Sequence, residues 1–126
     1  AGVVAIFSNK LINGEQPVIN GNGKQTRDYI YVGDVVRANM KALSYNKNDI
    51  FNIGTSIETD VNKIFHMLTK YIDGSVKEKH GPPKPGEQQR SVISYKKASE
   101  LLSWQPQVDL VKGLYKTVEF FRKLSQ

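Results

Sequence analysis

Apolar residues recur at intervals of three and four along several stretches of the chain, and each such stretch predicts a helix. Over residues 2–12, Val3, Phe7 and Leu11 share a face with Ile6 beside them, and Asn13-Gly14 supplies the left-handed cap that ends it. A second helix runs to about Ser44, with Asp34 as its capping side chain and Val36, Met40 and Leu43 expected inward. Thr59 or Asp60 opens a third, whose face of Val61, Ile64, Phe65, Leu68 and Ile72 is the most regular in the chain, and Asp73-Gly74 stops it. Ser94 caps a short helix holding Ala98, Leu101 and Leu102. Trp104-Gln105-Pro106 turns the chain, and Asp109 caps a last helix lined by Leu110, Leu114, Val118 and Phe121.

Between these lie extended segments. Pro17-Val18-Ile19 is a short one, followed by the turn-rich Asn20-Gly21-Asn22-Gly23. Aromatic and β-branched residues predict a strand over Asp28–Val32, a second is expected at Ile50–Ile53, and an edge strand at Val76–His80. Prolines forbid helix or central strand across Gly81-Pro82-Pro83-Lys84-Pro85-Gly86. Strands alternating with helices predict an α/β fold, and 126 residues suit one domain with its own core.

Composition narrows the function classes. Cysteine is absent, which removes disulfides and thiolate metal sites, and the two histidines, His66 and His80, are far apart in sequence. No apolar run is long enough to span a bilayer as a helix and no signal peptide is visible, so the default expectation is a cytoplasmic protein without a membrane partner. The balance of 18 Lys and Arg against 12 Asp and Glu suits an anionic partner or simply a solvated basic surface. The lysines are scattered, whereas nucleic-acid binders concentrate charge on one face, so a small basic nucleic-acid module is the lesser reading and no nucleic-acid partner is expected.

No complete active site is present. None of the tyrosines is followed four residues later by lysine, and neither form of the glycine-rich dinucleotide loop occurs. Gly21-Asn22-Gly23-Lys24 lacks the hydroxyl residue that a phosphate loop carries after its lysine. What remains reads as a binding surface. Arg27 follows a glycine loop at the mouth of a strand, where its planar fork suits two phosphate oxygens or an ordinary surface pair with Asp28 or Asp34. Tyr29 can offer its hydroxyl or pack in the core. Lys84 and Glu87 stand on the proline loop, where they suit a phosphate and sugar hydroxyls, or bulk solvent.

The order of segments resembles the C-terminal portion of the extended short-chain dehydrogenase family, in particular its UDP-glucose 4-epimerase branch. The stretches that carry it are GVVAIFSNKLINGEQPVINGNGKQTRDYIYVGDVVRANMKAL, FNIGTSIETDVNKIF, KPGEQQRSVISYKKASELLSWQP and the closing L-x-x-G-L-x-x-T-V-E-F-F. The resemblance implies that residues 1–126 are the sugar-nucleotide-binding part of a longer NAD-dependent enzyme whose Rossmann domain, with its catalytic tyrosine and lysine, is missing here. By position, Arg27 matches the family's pyrophosphate-binding arginine and Tyr29 the tyrosine beside the nucleotide. Val18 and Asn20 fall on the short strand next to the uracil, although Asn20 stands where an aromatic is common. Val61 matches an apolar nucleotide contact. Lys84 replaces the usual arginine of a second phosphate clamp, Glu87 matches the acid that holds ribose hydroxyls, and Arg90 is a reserve for the missing fork.

The expected ligand is therefore a UDP-sugar. The implied reaction is oxidation at the sugar C4 by NAD, rotation of the keto-sugar and hydride return, with this part supplying remote binding energy. A dehydratase, a UDP-glucuronate epimerase or a decarboxylase of the same family is the alternative. The chain alone is expected to be inactive, to hold no NAD and to self-associate through an apolar patch at Val3, Ile6 and Phe7.

Overall fold

The computed structural model describes residues 2–126. Its elements run α1 (Val3–Ile12), β1 (Ile19–Asn20), β2 (Thr26–Arg27), α2 (Val32–Leu43), β3 (Thr59–Asp60), α3 (Val61–Ile72), β4 (His80–Gly81), α4 (Lys96–Leu102) and α5 (Leu110–Leu124). Helices and strands are interspersed, although β1 is followed directly by β2 and α4 by α5, and each strand is two residues long. β1 pairs in parallel with β4, and β2 antiparallel with β3, so the described residues form two separate ribbons and no continuous sheet.

The main core lies where α1, α3 and α5 meet. Phe7 and Leu11 from α1, Ile64, Phe65 and Leu68 from α3, and Leu114 and Val118 from α5 are buried there, with Ile19 of β1 closing one end. The rings of Phe7 and Phe65 meet edge to face at 5.9 Å. The helix ends follow their local chemistry. At the end of α1, the amide of Glu15 donates to the carbonyl of Lys10 and that of Gly14 to Leu11, with Gly14 at φ +72°, a left-handed stop that glycine adopts without strain. Asp60 and Asp109 cap α3 and α5, accepting from the amides of Lys63 at 2.7 Å and Lys112 at 2.8 Å.

A second, smaller core forms around Trp104, with Ala38, Ala98 and Leu102. Here α2 departs from expectation. Its N-cap is Tyr31, which makes no side-chain capping bond, and Asp34 lies within the first turn and is only 2% exposed. The Asp34 carboxylate accepts from Arg37 at 2.7 Å and from the amides of Gln107 and Val108, while its carbonyl receives the Trp104 indole N–H at 2.9 Å. Burial by itself pushes the Asp34 carboxyl up; the bonds from Val108, Arg37 and Gln107 outweigh it, and the net displacement is below the usual carboxylate range. With Asp34 and Ala38 turned inward, the face expected in the core turns outward: Val36 is 54% exposed, Met40 61% and Leu43 81%. An amphipathic period fixes how apolar residues are spaced, not which neighbour covers them. In this helix a carboxylate with three donors takes the inward side.

Other expectations are corrected by the same accounting of backbone partners. Asp28–Val32 forms no strand. Instead the Asp28 carboxylate takes the amides of Thr55, Ser56 and Ile93 and the Thr55 hydroxyl, tying three separated segments together. Ile50–Ile53 has no partner strand among the described residues, and within Val76–His80 only His80 enters a ribbon. Ser94 does serve the start of α4, accepting weakly from the amide of Lys96 at 3.3 Å, but Leu101 is about half exposed. Of the expected patch at Val3, Ile6 and Phe7, Phe7 is buried in the core, Val3 is half-buried and Ile6 is exposed. A further exposed apolar stripe runs along α2 at Val32, Val36, Met40 and Leu43.

The β1–β4 ribbon carries an ionic clip. Glu78 bridges His66 of α3 at 2.6 Å and His80 of β4 at 3.0 Å, and His80 Nδ1 meets the Gly21 carbonyl at 2.7 Å. Both ring nitrogens of His80 thus face acceptors, which only the doubly protonated ring satisfies. The Glu78 hydrogen bond and the Gly21 carbonyl raise the His80 pKa above its usual 6.5, and Glu78 is lowered, chiefly by His80.

Two outcomes follow from these polar anchors. Asp34→Ala strands two backbone amides and Arg37, and is expected to lower the unfolding free energy by about 3 kcal/mol in a urea titration; an unchanged midpoint would show that these bonds contribute no net stability. Because the folded pKa of His80 is raised, its contribution is complete below the unfolded pKa and is lost as pH rises through the folded one; that of Glu78, being lowered, is lost as pH falls. The His80 ring followed by NMR should titrate above 6.5, and Glu78→Gln should move that midpoint down. A midpoint indifferent to the substitution would refute the clip.

Candidate nucleotide-binding surface

The surface is built on β2. Thr26 and Arg27 pair with Asp60 and Thr59 of β3 on one side, while on the other the amide of Thr26 donates to the carbonyl of Gln89 at 2.8 Å. The proline loop is thereby strapped against β2. Its tip is a turn in which the amide of Glu87 returns to the carbonyl of Lys84, with Pro85 and Gly86 between and Gly86 at φ +74°. Proline before a glycine of positive φ is the sequence such a turn requires.

Arg27 is one-third exposed and arranged as a held fork. Nη1 donates to the carbonyls of Thr26 at 2.6 Å and Gln88 at 2.7 Å, and Nη2 stands 3.6 Å from Glu87 Oε1. Asp28 and Asp34, the partners an ordinary surface pair would use, are both committed elsewhere. Tyr29 is half-buried and its hydroxyl has no partner. Burial raises its pKa, Arg27 opposes this, and Asp60 and Glu87 add to it. A concavity of about 270 Å³ beside Tyr29 is lined by Thr55, Thr59, Tyr95 and the chain from Pro106 to Leu110, and a wider apolar groove of about 700 Å³ lies between the start of α1 and α5. Arg27, Lys84 and Glu87 line neither. Arg27 and Glu87 meet at a partly exposed position, Lys84 is exposed on the same loop as Glu87, and Tyr29 lines both concavities.

The remaining residues singled out in the sequence fall into separate positions. Lys84 is exposed, with no ion pair among the described residues. Arg90 turns its fork away from Arg27 onto Glu58, with Nε at 2.9 Å and Nη2 at 2.8 Å from the two carboxylate oxygens. That pair, helped by the Thr26 hydroxyl, holds the Glu58 carboxyl down at about 2. Asn20 is exposed on β1 and Val18 precedes that strand, 39% exposed. Val61 is buried in the main core, at 6%, while its amide donates to the carbonyl of Gln25.

Two residues that the sequence did not single out complete the surface. Gln25, only 4% exposed, sends its side-chain amide to the Asn20 carbonyl at 3.1 Å and towards Glu87 Oε2 at 3.5 Å. Glu58 anchors Arg90. Neither lies in a periodic pattern, so only their neighbours in space mark them. Chemically the arrangement offers a partly exposed guanidinium and carboxylate for holding a polar anionic molecule. Among the described residues, no group of three His, Asp or Glu could hold a metal ion.

The profile of the GDP-mannose 4,6 dehydratase family matches residues 3–117. The chain is 42% identical over 127 residues to the UDP-glucose 4-epimerase of Mycolicibacterium smegmatis, covering 100% of this chain and 41% of that protein. Its fold superposes with a TM-score of 0.96 and 44% identity on the crystal structure of UDP-glucose 4-epimerase with UDP-glucose from Thermotoga maritima, over 100% of this chain and 41% of the other. It also superposes, with a TM-score of 0.89 and 29% identity, on UDP-glucuronic acid 4-epimerase from Bacillus cereus in complex with UDP-glucuronic acid and NAD, over 98% of this chain and 40% of the other. The chain thus spans 40 to 41% of the length of these epimerases. On the extent of the profile match and the complete overlap of folds, this chain belongs to the GDP-mannose 4,6 dehydratase family, within the short-chain dehydrogenases that include these epimerases.

Proposed function

We propose that residues 1–126 form the UDP-sugar-binding part of an NAD-dependent sugar-nucleotide 4-epimerase that interconverts UDP-glucose and UDP-galactose. The observation that carries this reading is the meeting of the Arg27 fork and the Glu87 carboxylate at a partly exposed position. Arg27 meets the pyrophosphate, with Lys84 as a second, more mobile charge. Glu87 accepts from the ribose hydroxyls, and Asn20 and Val18 lie towards the base. Val61 contributes by fixing the backbone of Gln25 more than by touching ligand. Arg90 steadies the loop through Glu58 and reaches the phosphate only if that pair opens. Holding the nucleotide this way fixes one end of the substrate while the hexose remains free to turn.

NAD supplies the hydride chemistry when bound. The residues here do not fit it, since they include neither a dinucleotide loop nor a tyrosine-lysine pair at the required spacing. We assign both to the part of the parent enzyme beyond this chain. The stripe of Val32, Val36, Met40 and Leu43, next to the unpaired Ile50–Ile53 segment, is the surface on which that part docks. An apolar face and an unpaired extended segment together suit the edge of a sheet covered by a helix. A dehydratase of the same family is the second reading, favoured by the family profile; the 42 to 44% identity to UDP-glucose 4-epimerases favours the first.

Calorimetric titration of UDP tests the nucleotide site. Arg27→Ala is expected to weaken binding by about ten- to a hundredfold, the loss of a charge-assisted contact. Arg27→Lys should recover part of it, since the charge remains without the fork, and Lys84→Ala should cost less. Unchanged affinity in Arg27→Ala would overturn the site. For the docking surface, this chain alone should turn over no UDP-galactose, and adding the separately expressed NAD-binding part should restore turnover. Met40→Glu should abolish that rescue. Turnover by the chain alone, or rescue indifferent to Met40→Glu, would refute the division of labour.

A further inference from the structure

We propose that Gln25 is a positioning residue that aims the Glu87 carboxylate at the ribose hydroxyls and so sets the preference for a ribonucleotide. This rests on the reading of Arg27 and Glu87 as nucleotide-binding groups. The argument begins with competition for one guanidinium. Arg27 spends Nη1 on two carbonyls and turns Nη2 towards Glu87 Oε1. A pyrophosphate carries more charge than a carboxylate and competes for that same nitrogen. When it wins, Glu87 loses its cation. The other side-chain hydrogen bond that its carboxylate receives among the described residues comes from the amide of Gln25, 3.5 Å from Oε2.

Gln25 is suited to that task because it cannot swing away. It is buried, its carbonyl is held by the amide of Val61, and its side-chain nitrogen is anchored on the Asn20 carbonyl. That nitrogen carries two hydrogens, one for the anchor and one left for Glu87. The second contact is long at 3.5 Å, with Arg27 Nη2 standing on the other carboxylate oxygen, and release from Arg27 lets it close. A neutral amide also differs from a lysine or arginine in effect: it orients the carboxylate without neutralising it, leaving its other lone pairs for a vicinal diol. Since the anchor sits on β1, the same side chain ties the strand near the base to the acid near the ribose.

The test compares UDP with 2′-deoxy-UDP, titrated calorimetrically into the 126-residue chain. The unmutated chain should prefer UDP. Gln25→Met, close in size and apolar, should shrink that preference by about five- to tenfold through weaker UDP binding, with 2′-deoxy-UDP affinity and melting temperature little changed. Glu87→Gln should remove the preference, and adding Gln25→Met to it should change nothing further, as expected of two residues acting on one contact. Should Gln25→Met fold poorly, NMR of the unmutated chain gives an independent reading: the Gln25 side-chain amide should shift on adding UDP and much less on adding 2′-deoxy-UDP. A preference that survives Gln25→Met, an equal loss of both affinities, or an amide blind to the 2′ hydroxyl would overturn the role of Gln25 alone. Absence of UDP binding by the unmutated chain would overturn the nucleotide-binding reading, and this inference with it.

Discussion

Four consecutive residues, Gln25 to Asp28, hold the distant parts of this chain together through hydrogen bonds that no single ribbon supplies. The carbonyl of Gln25 takes the amide at the start of α3, Thr26 pairs with β3 and with the proline loop, Arg27 clasps the carbonyls of Thr26 and Gln88, and Asp28 gathers Thr55, Ser56 and Ile93. Two-residue strands leave most extended backbone without a ladder, and buried amides and carbonyls left unpaired cost free energy. Side chains make up the deficit. The candidate surface lies on this seam for the same reason: the bonds that fix the loop also bring Glu87 beside Arg27.

That juxtaposition shapes what the surface can do. A guanidinium anchored by two backbone carbonyls loses less conformational freedom on meeting a phosphate than a free side chain does. The cost lies in the Glu87 pair, which a ligand must loosen at a partly exposed position where such pairs contribute little. Arg90 and Glu58 act one step further out, fastening the loop that carries Lys84 and Glu87. Tyr29, its buried hydroxyl unpartnered, lines both concavities.

The apolar surface is unevenly satisfied. The three-helix core of α1, α3 and α5 is closed, with Ile64, Leu68 and Val118 at 0% exposure. The region of α2 is covered on one side only, by Trp104 and α4, and presents an apolar stripe on the other. Under the proposed division of labour, the NAD-binding part covers this one-sided helix. The stripe, the unpaired Ile50–Ile53 segment and the wide groove beside α5 are all features that a larger assembly would cover.

Local chemistry was legible wherever it acted within a few residues. The faces of α1, α3 and α5, the caps at Asp60 and Asp109, the stop at Gly14 and the turn at Pro85-Gly86 all follow from short-range rules, and the ordered motifs pointed to the family and to Arg27, Tyr29, Lys84 and Glu87 as residues to watch. Contacts across long stretches of sequence were not legible. Asp34 reads as a cap, yet it is buried by donors some seventy residues on, at Gln107 and Val108, and that choice turns Val36 and Met40 outward. Asp28–Val32 has the composition of a strand but no strand to pair with, and pairing depends on what else the chain brings alongside. Gln25 and Glu58 carry no pattern at all. By itself the sequence determined the helices, their caps and the family, because those rest on spacing and local bonds. Only the tertiary structure decided which face of α2 is covered, that Arg90 serves Glu58, and that Gln25 stands between Asn20 and Glu87, because each depends on partners supplied by remote parts of the chain.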